Sequence, residues 1–381
     1  MRRFILAFLA LFCLFFFFSP TIFAEEPQDG DTLPKAYQDL LNSLPPAILE
    51  RLPEGTLSNS AEAVGDAVGE MSSFSFLLKT VLSLVGLRLG DALKLLCSVV
   101  GILLLSAVCR SFCTSLARPE MARTFSFLMT LVITVTIFAT GFGTIEGTVS
   151  YFQTLNTFTS ACVPLMGGLY VMGGNAAAAV ATSAGLSVFM SVLEELVGKS
   201  IVPFCGICLA LALIGACDGT PRLGGLLGGL KKKYTLVLSF FMMLLLAMLS
   251  AQTVLGASQD TLAMKSAKFA AGSFIPVVGG SVGELLRSVS AGVGYMRASV
   301  GICGVLLLLF LMLPTLVELL LARTAWQICS FFAELLGCDG EKRLLDEFAS
   351  LNGYLIAAVA ICSSVLFLTF TLLAHCATAL A

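Results

Sequence analysis

Few residues in this chain are arranged for catalysis. Asp218 and Asp339 are the most suggestive, because each sits in a Cys-Asp-Gly step at the end of an apolar run. Two aspartates facing one another inside a membrane would make an aspartyl protease. An aspartate at mid-membrane is costly, and Asp-Gly is ordinary turn chemistry. The pairs Asp218-Gly219 and Asp339-Gly340 therefore read as matched cytoplasmic turns. Cys205 and Cys208 have redox spacing, but no neighbouring charge in the sequence would lower a thiol pKa. His375 is the only histidine, so neither a histidine-based zinc site nor a Ser-His-Asp triad can be assembled. No catalytic residue, metal site or cofactor is assigned, and the chain reads as a non-enzyme.

The chemistry that remains is passage through a membrane. Phe274-Ile275-Pro276-Val277-Val278-Gly279-Gly280 is apolar yet interrupted by proline and paired glycines. Such breaks free backbone groups, which must find partners in protein or a wet cavity rather than lipid. Pro164-Leu165-Met166-Gly167-Gly168 repeats the pattern. Glu194, Lys199 and Asp218 follow the first copy in the order that Glu318, Arg323 and Asp339 follow the second. The recurrence predicts a diverged internal duplication. Broken segments at matching positions of two halves point to a transport site, and small residues equally permit close helix packing. Pro164, Gly167, Gly168, Pro276, Gly279 and Gly280 are thus candidate conduit or helix-packing residues.

Composition sets the solvent. Of 381 residues, 57% are hydrophobic and 12% charged, against about 25% charged in a soluble domain. The expected fold is an all-α, polytopic, permease-like membrane protein with about seven to ten membrane segments. A net charge of −2 gives no basis for nucleic-acid binding, and the 13 cysteines lie mostly in apolar runs rather than in a disulfide framework.

Residues 1–24 read as a signal peptide: Arg2 and Arg3, an apolar stretch from Phe4 to Phe18, then Ala24. An uncleaved anchor is the alternative. Residues 25–75 form a small exported polar or helical segment. An amphipathic lead-in and two leading helices, Ala92–Cys109 and Thr124–Phe142, occupy 76–158. One membrane repeat follows at 159–256 and a second at 257–381. In this scheme Glu146 lies in an outer loop. Ser273–Leu286 and Val300–Leu321 cross separately, and Trp326–Gly337 follows as a half-length crossing or an interfacial helix. With parallel repeats Arg287 and Lys342 share the cytoplasmic side, and an inverted pair of repeats is the alternative. Arg118, Arg123, Lys231, Lys232, Lys233, Lys342 and Arg343 set topology by the excess of basic residues in cytoplasmic loops. Glu194, Glu195 and Glu318 either line a vestibule or pair with Lys199 and Arg323.

The stretch Lys265–Gly301, with Lys268, the Phe274–Gly280 motif and the glycines Gly292 and Gly294, resembles the stage III sporulation protein AE family of endospore-forming bacteria. The resemblance implies a mother-cell membrane component of an envelope-spanning channel complex between mother cell and forespore. It implies as partners the other stage III sporulation membrane proteins and a secretion-type ATPase, and it carries over no catalytic residue. Self-association is left open. A stand-alone secondary transporter is the competing reading, and an intramembrane enzyme a third.

Overall fold

A computed structural model describes residues 38–378, except 39–40, 43, 51, 58–65, 68, 72, 116–118, 173–175, 219–224, 248–250 and 252–278; for some helical residues, including 279–302, it describes the backbone alone. The expected signal peptide, Arg118, Gly219 and Pro276 lie outside the described residues. The fold is all-α, with no strand among the described residues. Its helices are α1 (Pro46–Leu49), α2 (Phe74–Ser115), α3 (Pro119–Met172), α4 (Ala176–Leu193), α5 (Ile201–Asp218), α6 (225–247), α7 (Gly279–Leu335) and α8 (Asp339–Thr378). A 3₁₀ turn, Glu54–Leu57, follows α1.

Local chemistry explains where these helices begin and stop. Ser73 caps α2 by accepting the Phe76 N–H at 3.3 Å, the usual role of serine at that position. Pro119 opens α3, where its missing donor costs nothing, and Glu120 complements the positive end of the helix dipole. α7 ends at Gly337, whose φ of +68° is open to glycine at little cost. There Cys338 N–H reaches Ala333 O at 2.8 Å and Gly337 N–H reaches Glu334 O at 3.1 Å, a Schellman closure. α8 starts at once, with Asp339 and Glu341 in its first turn. Between α4 and α5 the chain winds into a π turn, Glu194–Gly198, with Lys199 N–H bonded to Glu194 O at 3.0 Å.

Among the described residues, four helices are long and apolar enough to cross a membrane: Ser75–Phe112, Phe127–Gly168, Cys303–Leu335 and Asp339–Thr371. Two shorter apolar helices, Ala179–Leu193 and Ile201–Gly215, accompany them. The breaks expected from the sequence are largely absent. Glu146 lies inside the 54-residue α3, not in a loop. Pro164 is also interior to α3; it removes only the donor to the Ser160 carbonyl, a loss a long helix tolerates. The three segments expected between Ser273 and Gly337 form one 57-residue helix, α7. At 1.5 Å per residue this rod is about 85 Å long. Arg287 near its start and Lys342 just past its end therefore stand at opposite ends of one helix, and the alternating topology that put them on one side is corrected. The two proposed copies also differ in form: Glu194 and Lys199 flank the π turn, whereas Glu318 and Arg323 lie in straight helix.

α7 and α8 form the centre as an antiparallel hairpin. Residues 303–312 are all buried, with Leu307, Leu308 and Cys303 fully so, and Phe370 of α8 is fully buried against them. α3 joins this core through Phe158, whose ring lies 6.0 Å from Phe370, and through Tyr151 Oη, 2.5 Å from Ser363 Oγ. The packing leaves no room at Gly304, where an added Cβ would sit 2.3 Å from Phe370 Cε1. Gly304→Ala is expected to destabilise the detergent-solubilised protein by about 1–3 kcal/mol, the usual cost of overpacking. Phe370→Leu added to it should restore part of the loss. A double variant no better than the worse single one would show that this contact is not the cause.

Candidate functional site: a charged cleft among three long helices

α2 carries Arg88, Asp91 and Lys94 at i, i+3 and i+6, which places them on one face of the helix. That face meets α3 at Gly143 and Thr144 and α7 at Glu318, Leu321 and Ala322, and together they line a cleft of about 390 Å³. Arg88 Nη2 lies 3.2 Å from Glu318 Oε2, and Lys94 Nζ lies 3.5 Å from Asp91 Oδ1. A Cβ at Gly147 would stand 3.5 Å from Glu318 Oε1, so glycine there leaves space for the carboxylate. Thr144 Oγ1 donates to Gly141 O at 2.7 Å and lies 3.4 Å from Asn352 Oδ1. Asn352 Nδ2 is buried and meets no acceptor.

Two cations and two anions line the cleft beside a mainly apolar wall that includes Ala92, Leu95, Leu321 and Ala322, so its charges balance. Ionisable groups inside a membrane-length helix are expensive, and they mark paths and contact sites more often than structure. The arrangement can hold water or a small zwitterionic or polar group. The Arg88–Glu318 pair is open enough to water to contribute little stability by itself.

The expected site residues lie elsewhere. Pro164, Gly167 and Gly168 stand near the C-terminal end of α3, about 30 Å along the helix from Thr144. A Cβ at Gly167 or Gly168 would meet nothing within 4 Å among the described residues. Gly279 and Gly280 open α7. Asp218 is the last residue of α5, while Asp339 and Gly340 are the first two of α8. Arg123 lies in the first turns of α3. Of the three lysines, Lys232 and Lys233 are exposed, but Lys231 is buried, ion-paired with Glu347 and 3.0 Å from Ser350 Oγ. Lys342 Nζ pairs with Glu334 Oε2 at 2.7 Å, and Arg343 is exposed.

Among the outer acids, Glu195 pairs with Lys199 at 2.5 Å as expected, and that hydrogen bond raises the lysine above its ordinary pKa. Glu318 pairs with Arg88 instead of Arg323. Sequence reasoning passed over Arg88, Asp91 and Lys94, although charges repeating every three residues just before an apolar run were a readable signal.

This architecture, all-helical with four helices able to span a bilayer, defines a multi-pass membrane protein. The family model described as stage III sporulation protein AE matches residues 60–377, and the chain belongs to that family. It is 24% identical over 221 residues to stage III sporulation protein AE of Bacillus subtilis (strain 168), covering 58% of this chain and 55% of the relative. The match thus spans about half the length of that curated relative. No solved structure matches. Family membership is consistent with a role in sporulation.

Proposed function

We propose that this chain is a membrane core component of the channel or secretion complex that links mother cell and forespore and supports forespore development. Its place is the mother-cell membrane around the forespore. It works there with other stage III sporulation membrane proteins and a secretion-type ATPase, and does no catalysis of its own. The observation that carries this reading is the extent of the family match, which takes in α2 through nearly all of α8. The proline–glycine motifs remain proposed conduit or contact residues. The Asp-Gly pairs remain proposed cytoplasmic turns, and the basic residues proposed topology determinants. The division into a leading part and two repeats at 159–256 and 257–381 also remains a proposal.

One feature favours a second reading. The neutral, doubly paired cleft would suit a stand-alone transporter of a small solute. Purification of the full chain from sporulating cells separates the two. Other sporulation membrane proteins and an ATPase are expected to accompany it. A lone oligomer that takes up solute in vesicles would overturn the complex in favour of the transporter.

A further inference from the structure

α3 changes what it shows outward halfway along its length. Up to Phe142 its exposed side chains include Phe127, Val132, Val135 and Phe138. Beyond that point the exposed residues are Gly143, Glu146, Ser150, Gln153, Thr157 and Ser160, followed by Pro164, Gly168 and, at the end of the helix, Val171. Steps of three and four residues keep them on one stripe. From Glu146 to Gly168 the stripe rises about 33 Å, close to the thickness of a bilayer's hydrocarbon core. α4 runs back beside it, with Ser160 Oγ 3.8 Å from Met190 Sδ, and adds exposed Ser187 and Ser191.

A polar stripe is unremarkable if that half of the helix stands in open water. The opposite flank argues against this. Gly147 lies beside Glu318, which holds Arg88. Further along, Phe158 meets Phe370, which crowds Gly304. Phe76 packs on Phe310, between those two levels, at a ring distance of 6.0 Å. The segment of α2 from Phe76 to Arg88 is therefore level with the first part of the stripe, about Glu146 to Gln153, and it exposes Leu78, Leu82 and Leu87 together with Lys79 and Ser83. The slab that holds Glu146, Ser150 and Gln153 thus shows a mainly leucine surface on one flank and a wholly polar one on another. Water does not suit the first, and lipid does not suit the second.

The hydroxyl groups alone would not decide this. Thr157 donates to Gln153 O at 3.1 Å and Ser160 to Asn156 O at 2.9 Å, and such back-bonding lets Ser and Thr face apolar surroundings. The Glu146 carboxylate has no donor to return to its own helix, and the Gln153 amide oxygen is in the same position. Asn156 Oδ1, buried beside the stripe, meets no donor. We infer that the α3–α4 face from Glu146 to Gly168 is wetted at membrane depth and forms one wall of a water-filled passage for polar solutes. This rests on the chain being embedded in a membrane, the coarser part of the proposed function, and not on which sporulation partners surround it.

The test is labelling with a membrane-impermeant maleimide in membranes of sporulating cells that make the full chain, read position by position by mass spectrometry. Gln153→Cys, Thr157→Cys and Ser160→Cys are expected to react at least tenfold faster than Leu82→Cys on the leucine flank and Val135→Cys lower on α3. Because these positions are exposed and three of the changes are small, a folding failure is recognised by loss of the protein from the membrane, and Ser187→Cys on α4 then takes the place of the lost position. Silence at the stripe positions would mean lipid or dry protein covers the face and would overturn the inference. Equal reaction at Leu82→Cys would place this half of the molecule in bulk water and overturn it equally. Neither result depends on what co-purifies, so the partner assignment stands or falls separately.

Discussion

Replacing Arg110 with methionine is expected to destabilise the protein by about 3–5 kcal/mol, because it strands a buried carboxylate. Glu341 is fully buried in the first turn of α8. Its Oε2 lies 3.5 Å from Arg110 Nη2, and its Oε1 accepts from Ser106 Oγ at 3.2 Å. Arg110 also donates to the Gly337 carbonyl in the closure of α7. One guanidinium thus binds α2 to the turn between the two central helices. Removing both charges should cost far less than removing one, since a well-packed apolar pair often replaces a buried ion pair without loss. Arg110→Met combined with Glu341→Leu should therefore recover much of the stability, followed by unfolding in mixed detergent. If the double variant falls as far as the sum of the singles, the carboxylate is not held by this pair.

Lys231→Met should be about as damaging, while Lys232→Met and Lys233→Met should stay within about 0.5 kcal/mol of the parent, as exposed substitutions usually do. Lys231 is the one member of the triplet that points inward, onto Glu347 and Ser350, with the Tyr354 ring 5.8 Å away. Its loss leaves the half-buried Glu347 carboxylate facing the α5–α8 contact without a cation. Glu347→Leu in the same chain should relieve most of the defect. Equal melting temperatures for the Lys231 and Lys232 variants would remove the ion pair as a stabilising element.

These two pairs also show where sequence reading stops. The apolar composition and the long helices were legible, because a chain this poor in charge must be solvated by lipid and satisfy its backbone internally. The family was legible from the Phe274–Gly280 motif and its surroundings. Lys231 looked like its two neighbours, however, and its partner lies 116 residues away. Glu146 and Arg323 looked like ends of segments, and the Pro164 motif like a break within one. A charge ends a membrane crossing only if the helix stops at the bilayer surface. Here α3 and α7 run on, so Glu146 finds an exposed face and Glu318 finds Arg88 across the cleft. Pro164 does not end its segment, because the helix continues from Pro119 to Met172 on both sides of it. The cleft itself needed three helices to be seen together, and only Glu318 among its charged residues had drawn attention.

The Schellman closure at Gly337 bears on the order in which the molecule is made. A ribosome releases α2 and α3 first, with Ser106 and Tyr151 on them, and Glu341 and Ser363, to which these bond, arrive only with the last third of the chain. α7 and α8 then emerge joined by a turn of a few residues, so they can pair with each other immediately. The centre of the protein is thus its last-born part. Until Asp339–Thr378 is complete, Ser106 and Tyr151 lack the Glu341 and Ser363 side chains that they bond in the finished protein, so a chain released early keeps its leading helices without their central contacts.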